Sequence, residues 1–302
     1  MSSFDPIDPS LIDRPLTPSK LVDGHTGYPD AVAAGDTRDV LFGACGEASR
    51  DFPPELWIEP KDWADKARDN DKYGTWPVNY VDRYTNQNPT HECTCHSLRT
   101  NFEGARNRAR GVSYPDGPKV DFRYPESGDV GSVWVSPLSV YAEANPRQWG
   151  GAGVRQVLEI AVRRGMLPDK FQPHEYGFKH QLQGTTGQGN SNQSSGNWVA
   201  VRNFPEGWQE TAKLFRPLKV IFPETWEQAV CLVLHGRLVS VGRNGHAVPY
   251  ARFNVASSVM EYVDSYNVRR FDSLRTIKGC AANGSFSIDS VTVPDDWSKP
   301  AG

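Results

Sequence analysis

The chain has 302 residues, of which 38% are hydrophobic, and 33 basic residues against 36 acidic ones give a formal net charge of -3. That length permits one large domain or two modest ones with a sizeable core. The basic residues are scattered in short groups such as Arg99–Arg110 and Arg269–Arg270, unlike the continuous basic face of a nucleic-acid binder, and no apolar run reaches the length of a bilayer span.

Residues 1–55 come first and differ from the rest. Asp5-Pro6, Asp8-Pro9, Arg14-Pro15, Thr17-Pro18 and Tyr28-Pro29 crowd a stretch with little hydrophobic periodicity. Proline at this density favours extended and turn conformations, so the segment reads as an arm without a core of its own. Met1–Ser10 has no apolar h-region, so no secretory signal is expected. Five cysteines, an odd number, argue against a disulfide framework. The expected location is therefore cytoplasmic, or a virion.

Trp57, Trp63 and Trp76 follow, as core material at the start of a folded region. Residues Cys93–Arg110 predict a helix, because Cys95, Leu98, Phe102, Ala105 and Ala109 recur at spacings of three and four. Gly153–Arg164 predicts a second helix, with Val154, Val157, Leu158, Ala161 and Val162 on one face and Gly165 as its stop. The polar run 183–197 predicts a surface loop. A third helix is expected over Trp226–Leu234, and strands over Arg237–Val241, His246–Phe253 and Gly284–Ile288. Helices dominate before the polar loop and strands after it. This order predicts an α+β fold with segregated halves.

The two neighbouring cysteines separate on a helical wheel. At about 100° per residue, Cys93 lies about 200° from Cys95 and hence off the apolar stripe. It also stands in the first helical turn, where unpaired N–H groups and the positive end of the dipole favour a thiolate. Position alone therefore nominates Cys93 as the reactive thiol and Cys95 as a core residue.

Here the chain resembles the papain family of cysteine peptidases. Asn86-Gln87, with Cys93 six residues after the glutamine, is similar to the family's N-Q-x-x-x-x-x-C. Cys93-Thr94-Cys95-His96-Ser97 matches C-W-A-F-S at its ends, Glu103-Gly104 matches the Glu-Gly further along the same helix, and Asp62-Trp63 resembles the pair that opens the mature domain. The resemblance implies that Gln87 and the backbone N–H of Cys93 hold the oxyanion, a donor of this kind being worth roughly 3–4 kcal/mol. Two positions depart from the family: Thr94 stands for its Trp, and Thr90 for its disulfide-forming Cys. The second departure fits a reducing compartment.

A thiol nucleophile needs a base, and histidine titrates near neutrality. Among seven histidines, His246 opens Gly245-His246-Ala247-Val248, which resembles the family's H-A-V strand. It follows Cys93 at close to the roughly 130–150 residues usual between papain-type Cys and His. The family's orienting Asn in N-S-W is replaced by Asp264-Ser265-Tyr266, which nominates Asp264, with Asn254 and Asn267 as rivals. Ser136-Pro137-Leu138-Ser139 and Gly150-Gly151 resemble the segment whose paired glycines bind an extended substrate backbone.

These resemblances cover about residues 56–290 in order. They imply a papain-like domain over 56–302 behind the arm at 1–55. A helical half spans about 85–182, a β-barrel-like half about 198–302, and a cleft lies between them. The implied activity is peptide hydrolysis by a Cys-His-Asp/Asn mechanism on a peptide or protein substrate, the thiolate being paired with His246 as imidazolium. No cofactor, nucleic acid or membrane is expected. His91, Cys93, Cys95 and His96 crowd together but lack the two separated pairs of a structural zinc site. An alternative of another class is a structural component, as in a virus or phage particle, that keeps the fold with weak or no activity. In that reading the arm contacts neighbouring subunits.

Overall fold

The computed structural model describes residues 7, 12–13, 52–82, 93–115, 135, 137–144, 152–168, 206–243, 246–263, 265, 269–280 and 284–294. The helices are α1 (Trp63–Tyr73), α2 (Cys93–Ala109), α3 (Pro137–Ala144), α4 (Val154–Arg164), α5 (Trp208–Ala212), α6 (Trp226–Leu234) and α7 (Leu274–Cys280). The strands are β1 (Arg216–Ile221), β2 (Val239–Arg243), β3 (His246–Asn254), β4 (Val259–Val263), β5 (Arg269–Ser273) and β6 (Ser287–Thr292). Among the described residues, no helix is long and apolar enough to cross a membrane.

The fold is α+β. Strands β2-β3-β4-β5 form one antiparallel sheet and β1-β6 a second, joined by an antiparallel bridge between Ser240 and Phe286. The sheets do not close, which corrects the expected barrel-like half. The side chains nevertheless reach across the four-stranded sheet. Arg243 of β2 pairs with Asp272 of β5 at 2.6 Å, and Tyr250 of β3 donates to the same carboxylate at 2.9 Å. The strand-rich half also carries helices α5, α6 and α7, so the halves are less segregated than the sequence implies.

Several elements lie where the pattern puts them. Helix α4 ends at Gly165, whose φ of +83° is open to glycine and strained for other residues. Helix α6 begins with a capping box between Thr225 and Gln228. The strand over Gly284–Ile288 is shifted to Ser287–Thr292, and that over Arg237–Val241 to Val239–Arg243. Helix α2 departs most from its pattern. It is buried on every side from Cys93 to Asn107, because helices α3 and α4 pack on it from one direction and β2, β3 and β6 from another. The apolar stripe predicted a helix with one face in water. Instead Arg99 and Glu103 pair inside the protein at 2.9 Å, and Arg106 is buried too, so the basic group Arg99–Arg110 is largely interior.

The buried face of α2 fixes its register on the sheet. Ser97 donates to the Ser240 hydroxyl at 2.9 Å. Asn101 donates to the Leu238 carbonyl and Ser240 hydroxyl, both at 3.2 Å, and accepts from the Ile288 N–H at 2.9 Å. Gly104 lies so close to Leu238 that an added Cβ would stand 2.5 Å from its Cδ1. Residues 97, 101 and 104 share one helical face, and as their numbers fall the β2 numbers rise. Helix α2 is thus antiparallel to β2 and parallel to β3.

Candidate active site

This register decides what meets at the N-terminal end of α2. One helical step of four residues, from Ser97 back to Cys93, covers about 6 Å. Two strand residues, from Ser240 on to Gly242, cover about 6.6 Å. Cys93 lies one helical turn before Ser97, and on β2 two residues beyond Ser240 lies Gly242, whose partner across the ladder is Ala247, beside the Arg243↔His246 pair. Cys93 and Ala247 belong to one buried cluster. Between Arg243 and His246 the sequence has Asn244-Gly245, the dipeptide favoured for a two-residue hairpin turn.

His246 is fully buried, and its Nε2 lies 3.5 Å from the Ser265 hydroxyl, itself buried. Burial pushes the ring's pKa down to about 3, and the positive charges of Arg270, Arg243 and His96 act in the same direction. Arg243 and Arg270 stand on the sheet and His96 on the first turn of α2, so the ring sits where sheet and helix are both within electrostatic reach. Desolvation is the largest cause, so the ring beside an uncharged thiol is neutral at ordinary pH.

The two thiols are not separated by exposure. Cys93 and Cys95 both show 0% of their surface, which corrects the expectation that only Cys95 is interior. What separates them is position: Cys93 is the first residue of α2 and Cys95 the third. His96 is buried at 2%. No metal-binding group of three or more His, Cys, Asp or Glu occurs among the described residues.

Of the candidate orienting residues, Asn254 is set aside. It ends β3, eight residues from His246, and its Oδ1 accepts the Ser257 N–H at 3.0 Å. At about 3.3 Å per residue the two ends of that strand are some 26 Å apart. Asp264, Asn267, Gln87, Gly150 and Gly151 lie outside the described residues. Sequence reasoning missed Ser265, Arg243 and Arg270. The signal for Arg243 was present, since a residue flanking Asn-Gly in a hairpin faces its counterpart across the turn. Arg270 gave no comparable signal, because its approach to His246 depends on how β5 is ordered in the sheet.

No family model matches this chain, and no curated protein matches it by sequence. Solved structures do match. Xylellain, a cysteine protease from Xylella fastidiosa, is 12% identical with a TM-score of 0.48, over 70% of this chain and 83% of that one. Digestive procathepsin L 3 from Tenebrio molitor larval midgut is 10% identical with a TM-score of 0.48, over 83% of this chain and 78% of that one. The cysteine protease and lectin-like domains of Cwp84, a surface layer associated protein of Clostridium difficile, are 11% identical with the same TM-score, over 89% of this chain and 60% of that one.

Proposed function

We propose that this chain is a cysteine peptidase of papain-like architecture, with Cys93 as nucleophile and His246 as its base. The observation that supports the reading is that Cys93 and Ala247, the residue after His246, belong to one buried cluster. Ser97 and Asn101 hold α2, the helix that Cys93 begins, against β2, the strand paired with the one that His246 begins.

In this mechanism the Cys93 thiol and a neutral His246 begin as an uncharged pair. The sulfur attacks the peptide carbonyl as its proton passes to the ring, giving a tetrahedral oxyanion and an imidazolium. Gln87 and the Cys93 backbone N–H hold that oxyanion. The imidazolium returns the proton to the leaving amine, and the carbonyl re-forms as a thioester. Water then gives a proton to His246 and attacks the thioester. Collapse releases the carboxylic acid and restores the thiol. Asp264 orients the ring in this reading, with the Ser265 hydroxyl as its neighbour on the Nε2 side. Gly150 and Gly151 pair with the extended substrate backbone. Because the thiol and ring are both closed to solvent, substrate must displace covering groups to reach them.

The test is covalent capture. A peptide bearing a thiol-directed electrophile should label the wild-type and Cys95→Ala chains and leave Cys93→Ala unlabelled, with mass spectrometry locating the adduct at Cys93. Labelling that survives in Cys93→Ala, or that disappears equally in both variants, rejects the assignment.

One observation favours a second reading. A thiol and an imidazole with no exposed surface also suit a structural protein that keeps the fold without turnover. That reading expects no labelling of Cys93 at any electrophile concentration that leaves the chain folded.

A further inference from the structure

Among the described residues of the N-terminal arm, Ile12 and Asp13 meet the four-stranded sheet. Ile12 forms a parallel bridge with Phe271 on β5, the outer strand of the four-stranded sheet, and the Asp13 N–H donates to the Phe271 carbonyl at 2.8 Å. The Asp13 carboxylate then accepts three hydrogen bonds. They come from the Ser273 N–H at 2.9 Å, the Thr276 hydroxyl at 2.7 Å and the Ser273 hydroxyl. Asp13 has φ of +50°, so the chain turns sharply once the hook is made.

This contact is chemically selective. An unpaired strand edge accepts any extended backbone. Ser273 and Thr276 add a side-chain requirement, since three donors converge on two carboxylate oxygens. An amide there would offer one acceptor oxygen, and a glutamate would place its carboxylate one methylene too far out. Burial acts to raise the Asp13 pKa, but these hydrogen bonds and the charge of Arg243 outweigh it and hold the carboxyl below its usual range. The contact is also narrow. One bridge and one carboxylate bury little apolar surface, so two separate molecules would hold it weakly. A tether such as residues 14–51 makes the encounter intramolecular and raises the local concentration toward millimolar.

We propose that the β5 edge, with Ser273 and Thr276, is a docking site for an extended segment carrying an apolar residue followed by aspartate. Its resident occupant is this chain's own Ile12–Asp13, which acts as an exchangeable latch for the arm. The proposal stands independently of the peptidase reading.

The probe is a fluorescent synthetic peptide spanning residues 7–17, titrated by anisotropy against the full-length chain. In the wild type the arm competes with the probe, and in Asp13→Asn it releases the edge. The probe should therefore bind Asp13→Asn at least tenfold more tightly than wild type. Adding Ser273→Ala and Thr276→Val to Asp13→Asn should abolish binding, and a probe with Asn in place of its Asp should not bind. Equal binding to wild type and Asp13→Asn, or none to Asp13→Asn, overturns the proposal. If Asp13→Asn fails to fold, hydrogen exchange on the unaltered chain decides. The Asp13 and Ser273 amides must then exchange more slowly than in an unstructured peptide, and random-coil rates overturn the latch.

Discussion

His246 is where burial matters most for a single side chain. Its folded pKa of about 3 lies below the ordinary 6.5, so between those values the unfolded chain binds a proton that the folded chain refuses. Stability conferred by the neutral ring is complete above about pH 6.5 and is lost as pH falls toward 3. The slope is at most about 1.4 kcal/mol per pH unit from this group. Denaturant unfolding at a series of pH values should show stability falling across that window, and His246→Asn should flatten the fall. An unchanged profile in the variant would place the burden on another group. Cys93 was legible as the first residue of a helix, from spacing alone. Its burial was not, because the wheel reports which side of a helix is apolar and not whether the polar side is covered as well.

Helix α2 depends on Asn101 for its seat. The amide satisfies the Leu238 carbonyl and Ser240 hydroxyl on β2, while its oxygen accepts the Ile288 N–H at the start of β6. Asn101→Ala takes this partner from the buried groups. Ser240 keeps Ser97 as a partner, so two groups lose theirs, and at about 1–3 kcal/mol for each the loss should be about 2–6 kcal/mol in urea or thermal unfolding. Because this residue also holds the helix of Cys93 against β2, labelling of Cys93 by the peptide electrophile should fall further than the unfolded fraction explains. Helices α4 and α6 were readable from sequence because periodicity, caps and glycine stops all agreed. Strands β4 and β5 were not, since Val259 and Met260, then Arg269 and Arg270, set like residues side by side and break the alternation between apolar and polar. Both strands have buried polar residues, among them Glu261, Arg270 and Asp272, which are tolerated only with partners supplied from other strands.

Across the whole molecule, the Arg243–Asp272 pair ties the two outer strands of the four-stranded sheet together, and Tyr250 closes the group from between them. Both ions are nearly free of solvent. Burial pushes the Asp272 carboxyl up to about 6, against the pull of Arg243 and Tyr250, so at neutral pH it remains ionised. Asp272→Asn strands the Arg243 charge in the interior, and breaking a buried pair this way costs about 3–5 kcal/mol. Thermal unfolding should register the loss. Asp272→Asn should also weaken the arm's latch, because Asp272 lies next to the Ser273 that holds Asp13. Hydrogen exchange at the Asp13 amide would show this as faster exchange in the folded chain.

By itself, the sequence determined the helices that periodicity and caps specify, the place of Cys93 at the head of one of them, and the place of His246 at the head of a strand. These are local matters, settled by spacing along a few turns or a few residues of chain. The tertiary structure alone decided that α2 is enclosed on all sides, that burial, helped by Arg270 and Arg243, lowers the pKa of His246, and that the arm hooks β5 through Asp13. Each of these depends on contacts between segments far apart in the chain, where burial and charge are set by neighbours that no local pattern names.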